Sequence, residues 1–153
     1  MTSAYQETQR TKAISLIKAG NPVFYGSQAG KMFMGKSREF VLNENLKNIF
    51  APIRKDVVEY FKENQISWWG GNNPTGHVLS SQIACLNHLY QIRNDKHAVL
   101  SILQNVSTDF NEVLPIVVDN FAPAFIQFES VSDKDYLNEG APSRGKNCTS
   151  IDA

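Results

Sequence analysis

Two acidic residues near the C-terminal end of the sequence are the first candidates for chemistry. Glu129 ends a run of alternating apolar and polar residues, and Asp152 lies in the next β-like run. If segments 123–131 and 147–153 pair as antiparallel strands, about 5 Å apart, the two carboxylates meet at one sheet edge. Mg²⁺ is held by one or two carboxylates together with water and phosphate oxygens. The pair therefore predicts a site for Mg²⁺ (or Mn²⁺), and two ordinary solvent-facing acids are the alternative.

Two cations lie just before this acidic position. Arg144 and Lys146 flank Gly145, six to eight residues ahead of Asp152 in the sequence. Cations beside a metal-binding edge can hold a phosphate whose neighbour is bound to the metal, so both residues are candidates for support or DNA contact. A charge pair in a solvated loop is the alternative.

A predicted helix over 77–90 carries a polar stripe. At about 100° per residue, one broad face collects imidazole, hydroxyl and amide groups, while apolar residues cover the rest. The stripe consists of His77, Ser80, Ser81, Asn87, His88 and Gln91. Such groups can bind phosphates or orient catalytic residues. A solvent-facing surface, or hydrogen bonds to a neighbouring strand, is the alternative.

The sequence lacks the short motifs of several enzyme classes. It contains no GxxxxGK[ST], no GxGxxG, no GxSxG and no zinc-ligand spacing. ATPase, dinucleotide-binding and serine-hydrolase functions therefore have no local support.

The elements that must position these residues follow an order of helices first and strands last. Apolar spacing and helix stop signals predict helices over 5–19, 43–50, 52–64, 77–90 and 95–105. Residues 21–40 are predicted as a loop with at most one short strand, and 68–74 as a turn. β-rich runs then predict strands over 113–119 and 122–131. The segment 147–153 is predicted to be the start of another strand. The predicted fold class is α/β (α+β), with a helix-rich N-terminal half before the first strands of a mixed sheet.

Composition predicts an intracellular, cytoplasmic protein of one domain. The chain has 153 residues, of which 42% are hydrophobic, with 15 basic and 15 acidic side chains. That length supports a sizeable core. There is no apolar run of membrane-spanning length and no secretory h-region, so we expect no membrane partner. Cys85 and Cys148 are then expected to stay reduced.

The zero net charge is unevenly distributed. Residues 1–60 hold nine Lys and Arg against five Asp and Glu, whereas residues 109–153 hold three against eight. A basic front half and an acidic final segment suit an anionic partner at one end and a cation site at the other. Mutual neutralisation within the fold is the alternative.

Two stretches of the sequence resemble a known family. One is Trp68-Trp69 with the run Pro74-Thr75-Gly76-His77-Val78-Leu79-Ser80-Ser81-Gln82-Ile83-Ala84-Cys85-Leu86-Asn87. It is similar to a signature of bacterial restriction-endonuclease-like proteins of the PD-(D/E)XK nuclease superfamily. The tail 144–153 resembles the segment where that group places its first catalytic Asp, and Phe128-Glu129 resembles its upstream acidic position. The similarity extends over most of the chain from Tyr5 onward.

The resemblance implies a metal-dependent DNA endonuclease with a restriction-endonuclease-like core. Asp152 would be a catalytic metal ligand, and Glu129 a further ligand or a supporting acid. The supporting or DNA-contacting positions on the helix beside the site would be His77, Ser80, Ser81 and Gln82. The implied cofactor is Mg²⁺ (or Mn²⁺), and the implied partner is DNA.

The family pattern next requires Glu-x-Lys on the following strand, which this sequence lacks. The Glu completes the metal site, and the Lys activates water or stabilises charge on the phosphate. We therefore expect 1–153 to be a single incomplete domain, mainly helical over 1–110 and beginning the nuclease sheet over 111–153. On this interpretation the chain is inactive alone and needs the remaining C-terminal part of the same protein, with a homodimer left open. A non-catalytic nucleic-acid-binding or protein-interaction module is the alternative function.

Overall fold

Helices dominate the computed structural model, which describes residues 3–69, 71–116 and 123–130. Within these residues the fold is α+β, with four helices and a two-stranded antiparallel sheet, so the predicted fold class and its helix-rich half are confirmed. The helices are α1 (Ala4–Lys18), α2 (Arg54–Glu63), α3 (Ser81–Leu89) and α4 (Lys96–Val106). The strands are β1 (Met32–Phe33) and β2 (Lys36–Ser37). Single 3₁₀ turns span Pro22–Phe24, Asn45–Asn48, Ala51–Ile53 and Tyr90–Ile92.

Local capping signals explain the helices that the sequence predicts well. Ser3 and Gln6 form a reciprocal capping box at the start of α1, and Gly20 follows its end with a φ of 66°. Asp95 accepts from the backbone N–H groups of His97 and Ala98 at the start of α4. Such caps satisfy backbone donors that have no partner inside the helix. The predictions over 5–19 and 95–105 are confirmed to within one or two residues.

Tertiary pairing overrides the predicted helix over 43–50, which is wrong. The Asn43 N–H donates to the Gln28 carbonyl at 2.8 Å, and Leu42 forms a bridge with Ala29. These bonds hold the chain extended, so only the 3₁₀ turn Asn45–Asn48 forms. The neighbouring prediction over 52–64 is confirmed as a 3₁₀ turn that leads into α2.

The predicted helix over 77–90 begins four residues later than expected. The Ser80 hydroxyl accepts from the Ile83 N–H and caps α3, whose first residue is Ser81. Upstream of the cap, the chain runs beside residues 40–42, with Leu42 N–H donating to the Gly76 carbonyl at 2.9 Å. His77 forms a bridge with Val41 in this pairing and therefore does not lie on the helix.

Within 21–40, predicted as a loop with at most one short strand, residues 32–37 form a tight hairpin of two short strands. Met32 pairs with Ser37 and Phe33 with Lys36. The two-residue turn between the strands is Met34-Gly35, with φ angles of 49° and 73°. Two successive positive φ angles characterise the type I′ turn, whose twist matches that of paired strands. Met34 is 79% exposed at the tip.

The core forms between α2, α3 and segment 123–130. The side chains of Phe61 and Trp68 stack with ring centroids 3.8 Å apart, and Phe128 contributes a fully buried ring to the same cluster. The cluster contains Ile49, Ile53, Val57, Tyr60, Phe61, Ile66, Trp68, Ile83, Leu86 and Phe128. The predicted 68–74 turn is present in its described residues, with Trp68 bridged to Gly71.

The strand predicted over 122–131 is wrong for the described residues 123–130. They form no strand, although Ala124 pairs with Ile116 in an isolated bridge and Ser130 is also a bridge residue. The Ile116–Ala124 bridge also replaces the predicted strand 113–119 over its described part. Glu129 has a φ of 52°, a left-handed conformation outside the range of regular strands. The strand predicted over 147–153 lies outside the described residues.

None of the helices in the described ranges is both long enough and apolar enough to cross a membrane.

Candidate functional site around Gln82 and Glu129

A buried amide joins the two stretches that resembled nuclease motifs. The Gln82 Nε2 donates to Oε1 of Glu129 at 2.8 Å, across 47 residues of sequence. The same nitrogen donates to the Ser67 carbonyl at 3.3 Å, while the Gln82 Oε1 accepts from the Trp69 N–H at 3.0 Å. Since a peptide N–H can only donate, the amide oxygen must face Trp69 and the amide nitrogen must face the carboxylate. Gln82 therefore acts as a donor to Glu129.

Glu129 combines burial with an uncommon backbone conformation. Its exposed fraction is 3%, and it follows Phe128, which is 1% exposed in the core. Burying a carboxylate is costly unless it is hydrogen-bonded, and the Gln82 amide supplies one such bond. A bulky residue with positive φ persists only where its surroundings fix it, and such residues cluster at functional sites. The structure therefore holds this carboxylate in one defined position.

His77 lies in an aromatic cluster beside this site. Its ring centroid is 5.0 Å from that of Phe40, 5.2 Å from that of Phe33 and 5.6 Å from that of Trp69. Burial lowers the pKa of His77 below its ordinary 6.5, and the charges of Arg10 and Arg38 lower it further. Nδ1 accepts from the Leu79 N–H at 3.2 Å, so the neutral ring carries its proton on Nε2.

The two serines of the predicted stripe lie at the start of α3 but differ in exposure. Ser80 is buried and caps the helix, whereas Ser81 is exposed. Both line a cleft of about 370 Å³ between α1 and α3, together with Arg10 and His77. Ser80 is therefore committed to the backbone, and Ser81 is accessible to a ligand.

The other predicted site residues lie outside the described part of the chain. These are Asp152, Arg144 and Lys146. The pairing of 123–131 with 147–153 and the meeting of Glu129 with Asp152 therefore stay predictions. Among residues 3–69, 71–116 and 123–130, no group of three His, Cys, Asp or Glu side chains could hold a metal ion. Of the two predicted metal ligands, Glu129 lies in the described residues. One carboxylate is compatible with Mg²⁺ only if other groups supply the remaining oxygen ligands.

Sequence patterns missed the groups that hold the segment leading into α3. Asn48 Nδ2 donates to the carbonyls of Thr75 and His77, each at 3.0 Å. Asn87 Nδ2 in turn donates to the Asn48 carbonyl at 2.9 Å. Asn87 belongs to the predicted stripe, but its partner is a distant backbone group that no local spacing reveals. The polar stripe thus helps to hold the segment that leads into α3, in addition to forming part of the protein surface.

Comparison with known proteins identifies a family. The model of the family described as Restriction Endonuclease associating with ARP matches residues 5–153. No curated protein and no solved structure matches the chain.

Proposed function

Because the chain belongs to the family described as Restriction Endonuclease associating with ARP, we propose that its nuclease-related role is metal-dependent hydrolysis of phosphodiester bonds in DNA. The observation that carries the proposal is the buried hydrogen bond between Gln82 and Glu129. It brings together one residue from each of two stretches that resemble motifs of the PD-(D/E)XK superfamily. An ordinary solvent-facing acid at position 129 would not require burial, an amide donor and a left-handed backbone.

Glu129 would hold the Mg²⁺ (or Mn²⁺) ion together with Asp152. When bound, such a cation would supply positive charge at the phosphate and would make a water molecule more acidic, which favours hydrolysis. A carboxylate has lone pairs enough to accept the Gln82 N–H and to bind a cation. Gln82 is the positioning residue for Glu129, and the Trp69 and Ser67 backbone groups fix Gln82.

The family description also names an association with ARP. We extend that association to this chain, so ARP joins DNA as a proposed partner.

The experiment that tests the proposal measures Mn²⁺ binding, because the Glu-x-Lys element of the superfamily is absent from this sequence. Mn²⁺ titration followed by electron paramagnetic resonance should give one site in the 153-residue chain. Glu129→Gln keeps the side-chain shape and an acceptor but removes the charge, and it should weaken binding at least about tenfold. Glu112→Gln is the matched control, because Glu112 is an exposed acid paired with Lys96 at 2.9 Å.

Two outcomes would contradict parts of the proposal. Mn²⁺ binding that is absent, or equal in the Glu129→Gln variant, would remove Glu129 from the metal site. DNA binding that is unchanged by chelator, in a chain without a Mn²⁺ site, would favour the non-catalytic binding module.

A further inference from the structure

The β1–β2 hairpin presents apolar side chains between cations. Met32 is 64% exposed and Met34 is 79% exposed, and the cations within the segment 31–38 are Lys31, Lys36 and Arg38. We propose that the hairpin contacts duplex DNA, with Met34 inserting as a wedge against the base steps and with Lys36 and Arg38 at the phosphates. The inference rests on the proposed function in taking DNA as the ligand.

The turn chemistry does not account for Met34. A type I′ turn favours Asn-Gly, because Asn tolerates the left-handed conformation better than residues with long side chains do. Met34 has a φ of 49° at this position and gains almost no burial in return. An exposed apolar side chain kept in an unfavourable conformation indicates a contact made outside the folded chain.

The charges around the tip favour a polyanion. Lys36 is exposed and has no ion pair or side-chain hydrogen bond within the described residues. The nearest acid along the chain, Glu39, is already paired with Lys18 at 2.6 Å. Lysine and arginine contacts to phosphates supply most of the affinity for a duplex. Apolar wedges flanked by cations are used by proteins that insert Met, Leu or Phe between base steps.

The base of the hairpin is fixed to the candidate site. The Phe33 ring lies 5.5 Å from the Trp69 ring and 5.2 Å from the His77 ring. The Trp69 N–H in turn donates to the Gln82 amide that donates to Glu129. A duplex held at the tip is therefore held by the same connected group of side chains that positions the candidate carboxylate.

The test measures binding of a fluorescein-labelled 30-base-pair duplex to the 153-residue chain by anisotropy, with EDTA present. Met34→Asn removes the wedge and keeps the turn, since Asn-Gly is the preferred type I′ pair. It should weaken binding about tenfold without lowering the thermal midpoint. Lys36→Gln should reduce the slope of log affinity against log salt by about 0.9, as loss of one phosphate contact requires.

Matched controls separate a contact effect from general changes of the surface. Leu114→Asn removes another exposed apolar side chain and Lys62→Gln another exposed cation, and both should bind like the wild type. A duplex with 2-aminopurine at successive steps should brighten on binding to the wild type, because unstacking relieves quenching, and should not brighten with Met34→Asn. Met34→Gly, which also suits a positive φ, should repeat the Asn result.

Equal DNA binding by the wild type and both Met34 variants would overturn the hairpin proposal and leave the proposed function standing. Met34-dependent binding to phosphatidylserine vesicles, without Met34-dependent DNA binding, would also overturn it. Loss of Glu129-dependent Mn²⁺ binding would instead count against the proposed function alone.

Discussion

At the scale of single residues, Glu129 and His77 occupy different surroundings. Glu129 is enclosed with an amide donor, whereas His77 sits among three aromatic rings with Arg10 and Arg38 nearby. The low pKa of His77 makes it a neutral acceptor for the Leu79 N–H, not a cation for a phosphate. The hydrogen bond from the Leu79 N–H is compatible with support of the segment before α3, one of the two roles that the family resemblance implied, and the role of His77 stays a prediction.

The pKa of His77 leads to a prediction about stability. The folded pKa lies below the unfolded value of 6.5, so the unfolded chain binds more protons as the pH falls. His77 therefore contributes stability that is fully present above about pH 6.5 and is lost as the pH falls through the lowered folded pKa. We expect the free energy of unfolding in urea to decrease below pH 6.5 and this decrease to be smaller in His77→Gln.

His88→Gln is the matched control for that experiment. His88 is exposed on α3, and its variant should follow the wild-type curve. An identical pH dependence in wild type and His77→Gln would show that His77 does not carry the effect.

At the scale of elements, the pairing of residues 76–78 with 40–42 determines where α3 begins. Gly76 belongs to the run that resembles the nuclease signature, and its role is spatial. A Cβ at this position would collide with the backbone carbonyl of Leu42, and it would also approach the Asn45 side chain. The close passage of two backbones therefore requires glycine here, independently of any catalytic role.

We predict that Gly76→Ala destabilises the protein by about 3 kcal/mol, since overpacking against backbone forces the pairing apart. Gly26→Ala is the matched control. Its φ of 73° causes conformational strain, but its Cβ would meet no atom within 4 Å, so we expect a loss of about 1 kcal/mol. Urea denaturation measures both, and equal losses would contradict the role of the backbone contact.

The elements that could be predicted from sequence are those whose signals are local. The apolar spacing of α1, α2 and α4 lies within the helices themselves, and the caps Ser3 and Asp95 directly precede α1 and α4. The start of α3 depends on the pairing of His77 with Val41, and the absence of a helix over 43–50 depends on the hydrogen bond to Gln28. These partners are distant in sequence. The alternation over 124–129 suggested a strand because period-two spacing does not reveal the positive φ of Glu129.

The candidate site also combines features that could be predicted from sequence with contacts between distant residues that could not. Glu129 and Gln82 were identified by resemblance to a family, and their types were compatible with metal binding and support. Their hydrogen bond joins positions 47 residues apart, and local spacing carries no information about such a contact. Asp152, Arg144 and Lys146 stay predictions.

At the scale of the molecule, segment 123–130 completes the core. Phe128 is 1% exposed, and its ring lies 5.9 Å from that of Tyr90 and 6.0 Å from that of Tyr60. The candidate carboxylate is the next residue. Packing of the core and placement of Glu129 therefore both depend on the insertion of segment 123–130 into the core.

We predict that Phe128→Ala lowers the free energy of unfolding by about 3–5 kcal/mol, because it removes a fully buried ring and leaves a cavity. It should also abolish Glu129-dependent Mn²⁺ binding under conditions where the variant is still folded. Phe110→Ala is the control, since Phe110 is an exposed ring, and it should cost less than about 1 kcal/mol. Full stability of Phe128→Ala would contradict insertion of this segment into the core.

The contact between Gln82 and Glu129 also constrains the order of folding. Closing a loop of 47 residues carries an entropy cost that local contacts do not, so helices α1 to α4 can form before segment 123–130 docks. Until it docks, the aromatic surface of Tyr60 and Tyr90 lacks its covering ring. During synthesis on the ribosome the chain must pass through this uncovered stage, because residues 3–116 emerge before Phe128 does. A chaperone that recognises exposed aromatic surface would meet the nascent chain in this interval, and docking of Phe128 would end its access.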